Sequence, residues 1–160
     1  MNVVTTTVRH ARPGDEPELL RVVHAAFAEY EGRLVPPSGA HGETVETLAE
    51  KLAFGALVAE AANETIGCLF YRERGDDLYV GRLAVLPGWR GRGVGRALVE
   101  AAYDVGRGRN LTAAVVGVRL QLPENIGFFG SLGFRPFDLG THEGVDQPTF
   151  LWLRRPLREE

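Results

Sequence analysis

The densest chemical signal in the chain lies between Arg90 and Arg96, where Gly91, Gly93 and Gly95 alternate with Arg90, Arg92, Val94 and Arg96. Glycines at a strand-to-helix turn remove side chains, so several main-chain N–H groups can converge on one point, and the helix dipole adds about half a positive charge there. Such a turn is an anion cradle, and a diphosphate suits it. In a chain of formal net charge −3, the three arginines matter as a local field. Two familiar phosphate turns are excluded by composition. A P-loop needs Lys and then Ser or Thr after its last glycine, and Gly95 is followed by Arg96 and Ala97. A dinucleotide fingerprint places Gly or Ala six residues into the motif, where this chain has Arg96 or Leu98, and no acidic residue closes the following strand near Leu120.

The other residues capable of chemistry are sparser. Cys68 is the only cysteine, so no internal disulfide and no thiolate metal cage can form, and a reducing cytoplasm is the simplest home. His10, His24 and His41 have no spacing that suggests a metal, and none is expected. His142 has an unperturbed pKa suited to a base. Its neighbour Glu143 could pair with a cationic amine.

The elements that must position these residues follow from periodicity and breakers. A β-branched run at 5–12 reads as a strand. Acidic first-turn residues and apolar positions at Leu19, Val22, Val23, Ala26, Phe27 and Tyr30 give a helix stopped by Gly32. Residues 33–42 read as a loop with an extended Pro-Pro centre, and a second helix is expected over 43–52. Strands at 55–61, 65–73 and 78–85 form a meander, with Gly81 marking a bulge or a close backbone approach. A helix follows the glycine-arginine turn, with Val94, Leu98, Ala101, Ala102 and Val105 on one face. The strand at 111–120 is apolar almost throughout and so covered on both faces. A short helix entered at Pro123 and ended by Gly133 precedes a closing hairpin. The order β-α-α-β-β-β-α-β-α-β-β is that of an α/β sheet of mixed direction.

Length and composition agree with one domain over 1–160, with 24% charged and 44% hydrophobic residues. The charge balance gives no reason to expect a nucleic-acid partner. The start lacks a long apolar core behind a basic head, so neither a signal peptide nor a membrane anchor is expected, and no membrane partner.

Arg90 to Gly95 resembles the Gln/Arg-x-x-Gly-x-Gly/Ala motif of the GCN5-related N-acetyltransferase (GNAT) superfamily. The preceding "RLAVLPGW" looks like that family's fourth strand with its Val-x-Pro exit, and "PENIGFFGSLGF" is similar to its Asn-x-x-x-(Phe/Leu)-Tyr-x-x-x-Gly-Phe segment. The motifs cover roughly 78–134, and the element order matches nearly the whole chain. The resemblance implies a single GNAT-like domain with a mixed, largely antiparallel central sheet flanked by helices. It implies acetyl-CoA as cosubstrate, with the pyrophosphate on the amides of Arg90, Gly91, Arg92, Gly93, Val94, Gly95 and Arg96. Pantetheine would fill a gap between the fourth and fifth strands, along Leu83, Ala84 and Val85, with Asn125 and Phe129 also on the cofactor. The N–H of Leu83 would bind the thioester oxygen.

Two departures from the family pattern stand out. The strand position four residues before Leu83, often Glu in the family, is Tyr79, a poor base at neutral pH. The usual leaving-group acid, a Tyr, is Phe129, which donates nothing. By the same resemblance, Glu29, Tyr30 and Glu31 face His142 and Glu143 across the acceptor cleft, and pairing of two copies is an expectation. The reading is therefore an N-acetyltransferase acting by direct transfer on a small-molecule or peptide amine. A non-catalytic acyl-CoA-binding module and an aminoglycoside-type resistance enzyme stand as alternatives.

Overall fold

The computed structural model describes residues 5–158; residues 1–4, part of the stretch read for a leader, lie outside it. Seven strands and four α-helices follow the expected order: β1 (Thr7–His10), α1 (Glu16–Phe27), α2 (Val45–Leu52), β2 (Ala56–Ala61), β3 (Glu64–Arg74), β4 (Asp77–Val85), α3 (Val94–Gly108), β5 (Ala113–Arg119), α4 (Pro123–Ser131), β6 (Arg135–Gly140) and β7 (Phe150–Pro156). They form one sheet ordered β1-β2-β3-β4-β5-β7-β6. Only β4 and β5 run parallel, because α3 carries the chain back across the sheet between them, while hairpins join β2 to β3, β3 to β4 and β6 to β7. The β2–β3 hairpin turns on Ala62 and Asn63, both at positive φ (52° and 63°), the geometry of a tight two-residue connection. Among the described residues, no helix is long and apolar enough to cross a membrane.

Two apolar layers sandwich the sheet. On one face α3 buries Val94, Leu98, Val99 and Ala102 against Leu57, Leu69, Leu78, Val80 and Val116, with Phe129 and Phe134 closing the far end. On the other, α1 packs Leu19, Val22, Val23 and Ala26 on Val58, Cys68, Phe70 and Ala84. Burial pushes the Cys68 thiol up to about 12, leaving it inert.

Two local expectations are corrected. The second helix begins at Val45, since Thr44 accepts from the Thr47 amide while the Thr47 hydroxyl accepts from the Thr44 amide. That capping box leaves Glu43 outside the helix, where its side chain is only 4% exposed. The bulge in β4 falls one residue beyond Gly81. Phe70 pairs with Gly81 and Cys68 with Ala84, so Arg82 and Leu83 stand opposite Leu69 alone, and Arg82 takes a left-handed φ of 48°. A non-glycine residue there costs on the order of 1 kcal/mol, which its contacts must offset.

Candidate functional site

The bulge coincides with a split in the sheet. Pairing between β4 and β5 runs from Asp77↔Ala113 to Val80↔Val116 and stops, although β4 continues to Val85 and β5 to Arg119. Beyond Val80 the two parallel strands diverge. The Leu86 amide donates to the Ile66 carbonyl at 2.8 Å. Strand alternation then turns the amide and carbonyl of Val85, and of Leu83 past the bulge, away from β3 and toward the gap.

A cleft of about 520 Å³ opens along this gap, walled by Leu83, Ala84 and Val85 of β4 and by the entry to α3. Gly91 and Gly93 adopt φ of 73° and 81°, which only glycine takes without strain, and a Cβ at either would meet nothing within 4 Å. The first helical bond of α3 runs from the Ala97 amide to the Gly93 carbonyl at 3.0 Å, so the amides of Val94, Gly95 and Arg96 precede the ladder as free donors. Those three residues line the cleft with Gly91 and Gly93. The turn thus fits a pyrophosphate by its own geometry, with open space above and orphan N–H groups below.

The arginines of the motif divide their roles. Arg90 is tied down by Glu29 Oε1 at 2.6 Å and the Ala26 carbonyl at 2.8 Å, fastening the turn to the end of α1. Arg92 lies over the Trp89 ring at 5.0 Å and does not line the cleft. Arg96 lines it, and among the described residues no carboxylate lies within ion-pair distance of it.

The opposite wall comes from α4 and from the turn after α1. Asn125 Nδ2 reaches Tyr30 Oη at 3.4 Å across the cleft, and Glu29, Glu124, Phe128 and Phe129 complete the lining. Phe129 packs edge-on against Phe128 and Phe134, 6% exposed. Glu31 is exposed and stands outside this lining.

Tyr79 and His142 are elsewhere. Alternation along β4 puts Tyr79 on the α1–α2 face with Gly81, where it lines a second cavity of about 220 Å³ with Lys51, Phe70 and Arg82. Its ring meets Trp152 edge-on at 6.0 Å. His142 sits on the same face against Phe150, centroids 5.1 Å apart, its Nδ1 bonded to the Thr149 hydroxyl. Burial, then the charge of Arg119, hold it below the usual histidine value, so it is neutral at pH 7. Glu143 is exposed.

Four residues outside the sequence-predicted site organise this face: Glu43, Lys51, Arg82 and Arg119. The buried Glu43 carboxylate accepts from Lys51 Nζ at 2.9 Å and from Arg82 Nε at 3.0 Å. Burial pushes its carboxyl up, but the bonds from Lys51, Arg82 and Thr47 together outweigh that and hold it low. Arg119 donates to the Pro36 and Pro37 carbonyls at 2.7 and 3.3 Å, bracing the loop after α1. A signal for Arg82 was present in the sequence, as a charged residue in the middle of an otherwise apolar strand next to Gly81.

Comparison with known proteins agrees with this geometry. The fold is similar to that of the ribosomal-protein-S18-alanine N-acetyltransferase from Escherichia coli, with TM-score 0.78, 17% identity and coverage of 98% of this chain and 96% of that one. It is similar to PaiA N-acetyltransferase from Thermoplasma acidophilum in complex with coenzyme A, with TM-score 0.80, 16% identity and coverage of 95% and 99%. It is also similar to Ard1 from Thermoplasma volcanium, with TM-score 0.79, 20% identity and coverage of 96% and 99%. No curated protein matches the sequence. The sequence itself matches the acetyltransferase (GNAT) family over residues 20–134, a span that holds the bulged strand, the split and the glycine turn, and the chain belongs to that family.

Proposed function

We propose that the protein is an acetyl-CoA-dependent N-acetyltransferase that moves the acetyl group directly to the amine of a small molecule or peptide. The observation that carries this reading is the continuity of one cleft from the free amides of α3 to Leu83 at the bulge. Acetyl-CoA supplies an activated thioester. The amides of Val94, Gly95 and Arg96 hold its diphosphate, Val85 offers main-chain groups to its amide-bearing arm, and the N–H of Leu83 is the donor available to the thioester oxygen. A pre-aimed amide of this kind is worth about 3 kcal/mol in acyl transfer.

The proton chemistry departs from the common family arrangement. A free aliphatic amine with pKa near ~10.4 must lose a proton before it attacks. Tyr79 faces the second cavity, apart from Phe129, so neutral His142 is the better candidate base on the acceptor side. Phe129 leaves the departing thiolate unassisted. A thiol of pKa ~8.5 tolerates this at the expense of the roughly 10²- to 10⁴-fold that general-acid help gives.

That same absence motivates the second reading, a protein that holds acyl-CoA without turnover. Calorimetry with acetyl-CoA, followed by thiol release across an amine panel, separates the two. Binding with thiol release supports the enzyme, and binding without release across the whole panel supports the module. No saturation at millimolar acetyl-CoA would sink both.

A further inference from the structure

The acceptor side of the split is positively charged. Arg82 of β4 and Arg119 of β5 both lie past the last pair of the two strands, Val80↔Val116, on opposite banks of the gap. By register, Arg119 shares a sheet face with Gly117 and Phe150, the face on which Arg82 meets Glu43. One buried carboxylate there serves both Lys51 and Arg82, leaving an excess positive charge. Arg119 adds another, and among the described residues it has no carboxylate within 4.0 Å. The two guanidinium groups sense each other, since burial and then the charge of Arg82 lower the pKa of Arg119.

We propose that the amine acceptor carries a carboxylate beside its reacting nitrogen, as a free amino acid does, and that Arg119 receives that carboxylate. The inference rests on the acetyl-transfer reading above and names the substrate class of the same site. The guanidinium of Arg119 spends two N–H groups on the Pro36 and Pro37 carbonyls and keeps others in its planar fork, which matches a carboxylate in geometry as well as charge. On the same face the Phe150 ring packs over two side-chain-free positions: a Cβ on Gly140 would collide with it, and one on Gly117 would come within 3.2 Å. His142 packs edge-on against that ring, uncharged. A polyamine or aminoglycoside would bring further cations to a region already in positive excess, so this arrangement argues against the resistance-enzyme alternative.

The test uses the full chain with acetyl-CoA and follows thiol release from matched acceptors: amino acids, their amides and their decarboxylated amines. At least one amino acid is expected to exceed both of its partners at least tenfold in kcat/KM. Arg119→Gln is expected to lower that amino-acid-to-amide ratio at least tenfold, with Arg119→Lys restoring part of it; an acetyl-CoA dissociation constant near the wild-type value reports that each variant is folded. A brace for the loop alone would depress all acceptors together and leave the ratio unmoved, which would overturn the proposal. Wild-type release confined to amines without a carboxylate, or none from any amino acid, would overturn it as well while acetyl-CoA binding stands. Loss of acetyl-CoA binding in the wild type would instead bring down the reading on which it rests.

Discussion

Arg82 Nε donates to Glu43 Oε2 at 3.0 Å, joining the left-handed residue of the β4 bulge to a carboxylate that precedes α2. The bond explains how an arginine tolerates φ of 48°: the chain turns it toward a buried acceptor already neutralised in part by Lys51. Glu43→Gln should destabilise the fold by about 2 kcal/mol, below the roughly 3 to 5 kcal/mol for breaking a fully buried pair because both cations keep solvent contact. Because the folded carboxyl is held below its unfolded value near ~4.3, its contribution is present above that pH and lost as pH falls through the folded value. Thermal melts of wild type and Glu43→Gln should therefore differ most near neutrality and converge in acid.

The glycine turn gives a sharper prediction. Gly93→Asp places a carboxylate in open space beside the free amides of α3, where the diphosphate is expected. Acetyl-CoA affinity should fall at least a hundredfold by calorimetry, while the strain of φ 81° costs the fold about 1 kcal/mol. Unchanged affinity would refute the cradle.

Glu29 and Arg96 should act in opposite directions. Glu29 brings a negative charge to the cleft and occupies Arg90, so Glu29→Gln should tighten acetyl-CoA several-fold at low salt. Arg96→Ala should weaken it by a similar factor. Both effects should shrink at high ionic strength, where exposed charges are screened, and salt-independent changes would point to packing instead.

Phe129→Tyr tests the missing acid. The ring lines the cleft while packing on Phe134, so a hydroxyl added there can reach the cleft. It should raise kcat about tenfold or more with little change in acetyl-CoA affinity. No gain in turnover would mean that thiolate departure does not limit the reaction.

His142 carries a signature in pH. With its neutral form as the proposed proton acceptor, kcat/KM is expected to fall on the acid side as it protonates at a pH below the ordinary histidine value of ~6.5. Removing the nearby charge with Arg119→Gln should raise that pKa, read by NMR titration of the imidazole. An acid limb that persists in His142→Gln would assign the base to another group.

Much of this was legible in the residue pattern because it rests on local rules. Alternation and helical periodicity predict all seven strands and four helices in order, and the glycines at 91, 93 and 95 mark the side-chain-poor turn that leads into α3. The acceptor side was not legible, because it is assembled from long-range pairs: Glu43 with Arg82, and Arg119 with Pro36. A left-handed arginine leaves no trace of the kind glycine leaves, so the residue pattern points to Gly81, one residue short of the bulge. Spacing along β4 relates Tyr79 to Leu83, whereas strand parity puts it on the α1–α2 face, lining the second cavity and meeting the Trp152 ring.

The pairing between β4 and β5 ends at Val80↔Val116, short of the ends of both strands. An acetyl-CoA arm held there, as proposed, would supply the missing strand, and occupancy would become part of the folding equilibrium. At a hundred times its dissociation constant such a molecule adds about 2.7 kcal/mol to the native state. Slower proteolysis and amide exchange at the tips of both strands would then report the second substrate's partner as surely as catalysis does.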